Sequence, residues 1–289
     1  MKQSIRTFFG MLVCAATLVA MMSVPTTADD DPVITADKAL MSAFEKGDKA
    51  AIKKYLDADF TWVDPDGVMV EREDALTLGM KPLLGEGSGL KIRENKIGDK
   101  VVWLHVDTGK NFVGRVWVKR ASGWKLLHTT EIATRPSSDM INVHPSYAIP
   151  CVNPCQQVPF KPVDKMQAAT LADWQVQIGS REAFATHVDD NQAMVTTYTG
   201  QNPTKGSRYA GPPPPPNPGP PVGSNPVLWM RMWSFPPDTV VVIACQPAYG
   251  QRAYWSSRVF HFQHGYWQMM ESYHNTIQAS GAMTEVAGK

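Results

Sequence analysis

Between residues 44 and 67, FEKGDKAAIKKYLDADFTWVDPDG, the spacing of apolar positions changes from helical to strand-like. Phe44 closes a first apolar helical run, and Gly47 supplies the positive-φ residue that commonly ends a helix. Asp48 can cap the next helix through its carboxylate. Ala51, Ile52, Tyr55 and Leu56 recur at helical spacing, while Lys49, Lys53 and Lys54 fall on the wet side. Phe60, Trp62 and Asp64 then alternate with Thr61 and Val63, the period of a strand, and Pro65-Asp66-Gly67 is turn chemistry. The pattern places a carboxylate on the same strand face as two large aromatics.

Further along, residues 71–84 have helical composition interrupted by Pro82, and a Gly-rich turn occupies 85–89. Strands are predicted over 90–96, 101–107, 111–120 and 124–134. Helices followed by a run of hairpin-connected strands specify an α+β domain, with the helices on one face of a curved antiparallel sheet. The plan then repeats. RVFHFQHGYWQMMESYH (258–274) lies without gaps on RVWVKRASGWKLLHTTE (115–131), matching Arg115 with Arg258, Trp117 with Phe260 and Trp124 with Trp267. Gly47-Asp48 matches Gly179-Ser180, Gly67 matches Gly200, and Asp64 falls on Thr197. The chain therefore divides into a first domain at 29–135, a proline-rich linker at 136–165, a second, degenerate copy at 166–280 and a tail at 281–289. The second copy replaces the third helix with GPPPPPNPGPP (211–221), which reads as a polyproline II loop. Trp229, Trp233, Tyr254 and Trp255 fill the second core or an interface between the two copies.

Residues 1–28 look like a secretory signal: Lys2 and Arg6 precede an apolar stretch, and Thr26-Thr27-Ala28 offers small residues for cleavage. The apolar core is shorter than the roughly 20 residues that span a bilayer. The expected location is secreted or periplasmic. With 43% hydrophobic residues, 19% charged and a formal net charge of +1, the composition calls for neither nucleic acid nor an anionic membrane as partner. Of four cysteines, Cys14 leaves with the signal. Cys151 and Cys155 are close enough for a local disulfide in an exported protein, or form half of a metal site that nothing completes. Cys245 lies in an apolar run as a buried thiol.

On ADFTWVDPDG and RVWVKRASGWKLLH, with Gly47-Asp48 before them, the chain resembles the SnoaL-like and ketosteroid-isomerase-like superfamily, also called nuclear-transport-factor-two-like. The resemblance covers the first domain and, more faintly, the second. It implies two tandem cone-shaped domains, each a bent sheet wrapped around helices with an apolar pocket at its open end. Members include isomerases, cyclases, dehydratases and pockets without chemistry. The resemblance carries the isomerase's catalytic base onto Asp64, beside Phe60 and Trp62. The chain departs from the oxyanion hole of that enzyme: Leu40 stands near the tyrosine position, and Arg115, not an acid, near the aspartate position.

Asp64 thus reads either as a general base whose pKa burial raises, or as a turn-former whose carboxylate accepts backbone N–H bonds. His128 shares strand parity with Trp124 and Leu126 and is expected to face the pocket, as an acid-base partner or a hydrogen-bonded core histidine. His105 alternates with Trp103 and Asp107 on a neighbouring strand, so Asp64, His105 and His128 are the catalytic candidates if they converge. Phe60, Trp62, Arg115 and Trp124 are the ligand-binding candidates. No motif calls for a nucleotide, flavin or metal. Three functions stay open: a module binding a small, largely apolar molecule, a cofactor-independent isomerase, cyclase or dehydratase, and a structural interaction module. The second copy can take the place of a homodimer partner, which leaves pairing of whole chains open as well.

Overall fold

The computed structural model describes residues 31–78, 91–109, 111–136, 160–177, 181–202, 205, 227–246 and 253–278. The signal segment, Cys14, Cys151, Cys155, the polyproline run and the tail from 279 onward lie outside the described residues. So do Pro82 and the Gly-rich turn at 85–89.

Helix α1 (Pro32–Lys46) begins at Asp31, whose Oδ1 accepts Val33 N–H at 2.8 Å, and ends at Gly47 with φ 65°. Helix α2 (Lys49–Tyr55) is capped by Asp48, whose Oδ1 accepts Ala51 N–H at 3.0 Å. Both ends follow from the sequence, since a left-handed residue and a side-chain acceptor satisfy groups that the helix itself cannot. Strand β1 (Leu56–Val63) follows directly. A three-residue edge strand, β2 (Met69–Glu71), precedes α3 (Arg72–Leu78). The predicted helix at 71–84 therefore starts after an edge strand that the sequence pattern did not reveal. Then come β3 (Lys91–Ile97), β4 (Val101–Asp107), β5 (Asn111–Arg120) and β6 (Gly123–Ala133).

The second half repeats the order with α4 (Lys165–Gln177), α5 (Arg181–His187), β7 (Val188–Thr196), β8 (Gly200–Asn202), β9 (Trp229–Phe235), β10 (Thr239–Gln246), β11 (Tyr254–Gln263) and β12 (Tyr266–Thr276). Two six-stranded sheets result, ordered β2-β1-β6-β5-β4-β3 and β8-β7-β12-β11-β10-β9. The protein is α+β, two tandem domains of one plan. Each sheet is mixed rather than wholly antiparallel, because β1 runs parallel to β6 and β7 parallel to β12. The chain leaves β1 at one edge, re-enters at the far edge as β3, and its four-strand meander ends beside β1 running the same way.

Each sheet has a helix-covered face and a face turned to the other sheet. Leu40, Phe60, Leu104, Trp117 and Leu126 form the core under the helices of the first domain. A second core lies between the sheets, where Val63, Trp103 and Val116 meet Ile243, Cys245, Trp255 and Tyr273. Trp229 and Trp233 pack against this core, whereas Tyr254 stacks on His274, ring centroids 4.9 Å apart. Gly114 is required there: a Cβ would sit 2.5 Å from Trp103 Cζ2. Cys245 is a free, buried thiol that burial pushes up to about 12.

Both sheets carry the same irregularity. The β5–β6 ladder shifts between Val116 and Trp117, leaving Leu127 as an extra residue on β6, and β11–β12 shifts between Val259 and Phe260, leaving Met270 extra. Such a bulge reverses which face the following residues meet.

Candidate functional site

That reversal decides where the two histidines point. Leu126 faces the helices with Trp117, but past the bulge the even-numbered residues of β6 turn to the other sheet. His128, expected on the helix side from its parity with Trp124 and Leu126, lies between the sheets. Its Nδ1 is 2.8 Å from Thr61 Oγ1, and its Nε2 is 2.8 Å from Ser257 Oγ of the second domain. Burial lowers its pKa to about 3, so the ring is neutral. His105 lies on the same face, with Nδ1 against the hydroxyl of Tyr273, and burial lowers it to about 4. Asp64 meets neither. Its Oδ1 accepts the N–H groups of Asp66 at 3.0 Å and Val68 at 2.8 Å, which makes it the acceptor of its own turn. Desolvation raises its pKa, although those bonds pull the other way. The structure does not bring the three catalytic candidates together: Asp64 serves its own turn, and both histidines face the other sheet, His128 because one extra residue rotated it out of the expected face. Strand register also moves the counterpart of Asp64. Val63 pairs with Thr130 and Val195 with Tyr273, which are matched positions, so Asp64 corresponds to Thr196, one residue before Thr197. Thr196 Oγ1 likewise accepts a turn N–H, that of Thr199, at 3.0 Å.

The ligand-binding candidates, in contrast, share the helix side. Phe60 is in the core there, with Trp62 and Trp124 packed against it. Trp62, Thr129 and Arg115 lie in register across β1, β6 and β5. Arg115 is 1% exposed, and its Nη1 donates to Asp37 Oδ2 at 2.7 Å. Asp37 Oδ1 accepts Trp117 Nε1 at 3.0 Å. Arg115 Nε and Nη2, Thr129 Oγ1 and Trp62 Nε1 are shielded from solvent and have no hydrogen-bond partner among the described residues. Nε–H and Nη2–H are the two parallel donors on one edge of a guanidinium, the fork that accepts two oxygens at once. Glu131, buried on the same strand two residues beyond Thr129, has partners of its own.

Asp37 is the residue that the sequence reading missed. Its signal was a charge on the apolar stripe of α1, between Val33 and Leu40, where helical spacing demands a hydrophobic residue.

The matched arginine in the second domain is fully engaged. Arg258 Nε meets Ser272 Oγ at 3.2 Å, Nη1 meets Gln246 Oε1 at 2.9 Å, and Nη2 meets His274 Nε2 at 3.1 Å. The guanidinium also lies over Trp174, 4.7 Å from the ring centre. The second copy carries polar residues at other positions: Gln167, Thr170, Gln177 and Gln192 are all buried. Among the described residues, no group of three or more His, Cys, Asp or Glu is arranged to hold a metal ion.

No family model and no curated protein matches the chain. Among solved structures, an NTF2-like protein of unknown function in nutrient uptake from Rhodospirillum rubrum is 21% identical, covering 37% of this chain and 100% of its own, at a TM-score of 0.29. A putative ketosteroid isomerase from Shewanella frigidimarina is 20% identical over 35% of this chain and 95% of its own, at a TM-score of 0.26. The S. rosetta CaMKII hub is 21% identical over 36% of this chain and 95% of its own, at a TM-score of 0.27. Each of these solved structures is matched along most of its own length by about a third of this chain.

Proposed function

We propose that the first domain binds a small, largely apolar molecule carrying a carboxylate, and that the protein is an exported binding or accessory protein. The observation that carries this is the open edge of Arg115: two parallel donors, buried and unpartnered, on a side chain already held in place by Asp37. A charged donor pair withdrawn from water without a partner is costly, and a carboxylate satisfies both members with two nearly parallel bonds. Phe60, Leu104, Trp117 and Leu126 would surround the apolar remainder, and Trp62 Nε1 and Thr129 Oγ1 would discriminate its polar end. Export rests on the N-terminal segment alone, and pairing of whole chains is a further proposal.

A second reading, an isomerase, cyclase or dehydratase with Asp64 as base, draws on the burial that raises this carboxyl. It is the weaker of the two, because Oδ1 is committed to the turn and both histidines meet the other sheet.

Calorimetric titration with octanoate and benzoate, against octanamide and benzamide, tests the first reading. The acids should bind and the amides should not, and Arg115→Met should abolish binding of the acids. Equal binding of acid and amide, or binding that survives Arg115→Met, refutes it. Asp64→Asn should leave acid binding intact; loss of binding would return Asp64 to the site.

A further inference from the structure

The second domain has its own set of buried polar atoms without partners. Gln192 Nε2 and Oε1, Thr170 Oγ1, Gln177 Oε1 and Trp174 Nε1 are shielded from solvent and unpartnered among the described residues. None of the four residues is more than 2% exposed.

Two elements bring them to the helix side of the second sheet. At its start α4 reaches β9, where Gln167 Nε2 donates to Met232 O at 3.3 Å. Trp174 lies under Arg258 of β11, and Asp173 Oδ2 accepts Trp267 N–H of β12 at 2.8 Å. The helix therefore crosses the sheet from β9 toward β12. Thr170, Trp174 and Gln177 follow one another along its buried stripe, and its second half ends on the side where β12 pairs with β7. Gln192 is on β7. The next residue, Ala193, pairs with Glu271, which bonds Arg93 and Asn95 of the first sheet. Counted back from Val195, the match of Val63, Gln192 takes the place of Phe60, which faces the helices in the first domain.

The chemistry of these atoms narrows the ligand. Three donors and three acceptors are open, the Thr170 hydroxyl counting as both, and Arg258 leaves no charge over, because all three of its nitrogens are engaged. A carboxylate would bring acceptors to the Gln192 and Gln177 carbonyls, a cation would meet the Trp174 and Gln192 N–H groups, and an apolar molecule would leave every atom unpartnered. A hydroxyl both donates and accepts, which suits an amide open at both ends beside a threonine hydroxyl.

We propose that the helix side of the second domain is a binding site for a small uncharged polyhydroxylated molecule, a sugar or polyol, held by Gln192, Gln177, Thr170 and the Trp174 N–H. The site is independent of the Arg115 site and takes a different class of ligand.

The test uses the full chain, with saturation-transfer NMR and calorimetry against glucose, trehalose and myo-inositol. At least one of the three should bind. Gln192→Leu should weaken it by about tenfold or more, the loss that follows from deleting a buried bonding pair, while Arg115→Met leaves it unchanged. The proposal is overturned if none of the three binds, or if Gln192→Leu binds as the wild type does. A higher melting temperature for Gln192→Leu with unaltered sugar binding would also overturn it, identifying the amide as a packing defect. Octanoate titrated into the same samples keeps the two sites distinguishable, since its binding reports on Arg115 alone.

Discussion

Asp37→Leu should be among the most damaging single substitutions in the first domain. The carboxylate is 3% exposed and is the acceptor for both Arg115 Nη1 and Trp117 Nε1. Without it, a buried guanidinium whose other edge is already open has no counter-charge. Breaking a buried pair from one side costs about 3–5 kcal/mol, and the stranded indole N–H places this case toward the upper end. Arg115→Met leaves the Asp37 carboxylate buried without its counter-charge and should cost a similar amount. The double variant replaces both charges with packed apolar groups and should lie within about 2 kcal/mol of the wild type, since such replacements are often neutral or better. The pair should therefore show a coupling energy of about 3 kcal/mol or more. Urea unfolding followed by far-ultraviolet circular dichroism, without ligand, measures all four proteins, with an unchanged slope as the control for a common unfolded state. If Asp37→Leu costs under about 1 kcal/mol, or if the two single effects simply add, the pair is not a closed buried unit and the argument for the open edge of Arg115 fails with it.

Gly114→Ala forces a methyl into Trp103 at the sheet-to-sheet core and should lower stability by about 1–3 kcal/mol; a melting temperature equal to the wild type's would show that the indole can move. Burial raises the Glu271 carboxyl to about 7 from an ordinary 4.5, so the folded state holds its proton more tightly than the unfolded chain. Its contribution is fully present below pH 4.5 and is lost as pH rises to 7, by up to about 3 kcal/mol. Glu271→Gln should therefore gain on the wild type across that window in pH-dependent thermal melts, and a constant difference would refute the assignment. His128 has the opposite sign: its folded pKa of about 3 lies below the ordinary 6.5, so stability is lost as pH falls from 6.5. A His128→Gln variant should lose less stability than the wild type between pH 6.5 and 4, measured the same way.

Much of this architecture is written in local chemistry. Gly47 and Asp48 state where α1 ends and α2 begins, and the apolar alternation of β4, β5 and β6 states a sheet. The ungapped match around Arg115 and Arg258 states the duplication. The edge strands β2 and β8 escaped notice because three residues carry no period. The face of His128 escaped for a different reason. A bulge is a pairing irregularity between two strands, invisible in either strand alone, and alternation carried past Leu127 points every later side chain the wrong way. Phe60, Trp62 and Trp124 share the helix side with Arg115, and all four precede that irregularity or lie on other strands. Asp37 was missed although its spacing was plain, since a lone acid on an apolar stripe does not name its partner, and Arg115 lies 78 residues further along the chain.

The sheet-to-sheet joint has a consequence that two identical chains could not reach. In a two-fold symmetric dimer, every residue on one side of the axis reappears on the other, so a substitution made on one side is made on both. Here the matched positions hold different residues: His128, neutral, reaches Ser257, while Glu271, drawn toward protonation, takes Arg93 and Asn95. Joining both halves in one chain released them from self-complementarity, so each side could acquire a group that its counterpart lacks. The same release leaves one half free to keep an arginine with one open edge while the other closes its own upon itself.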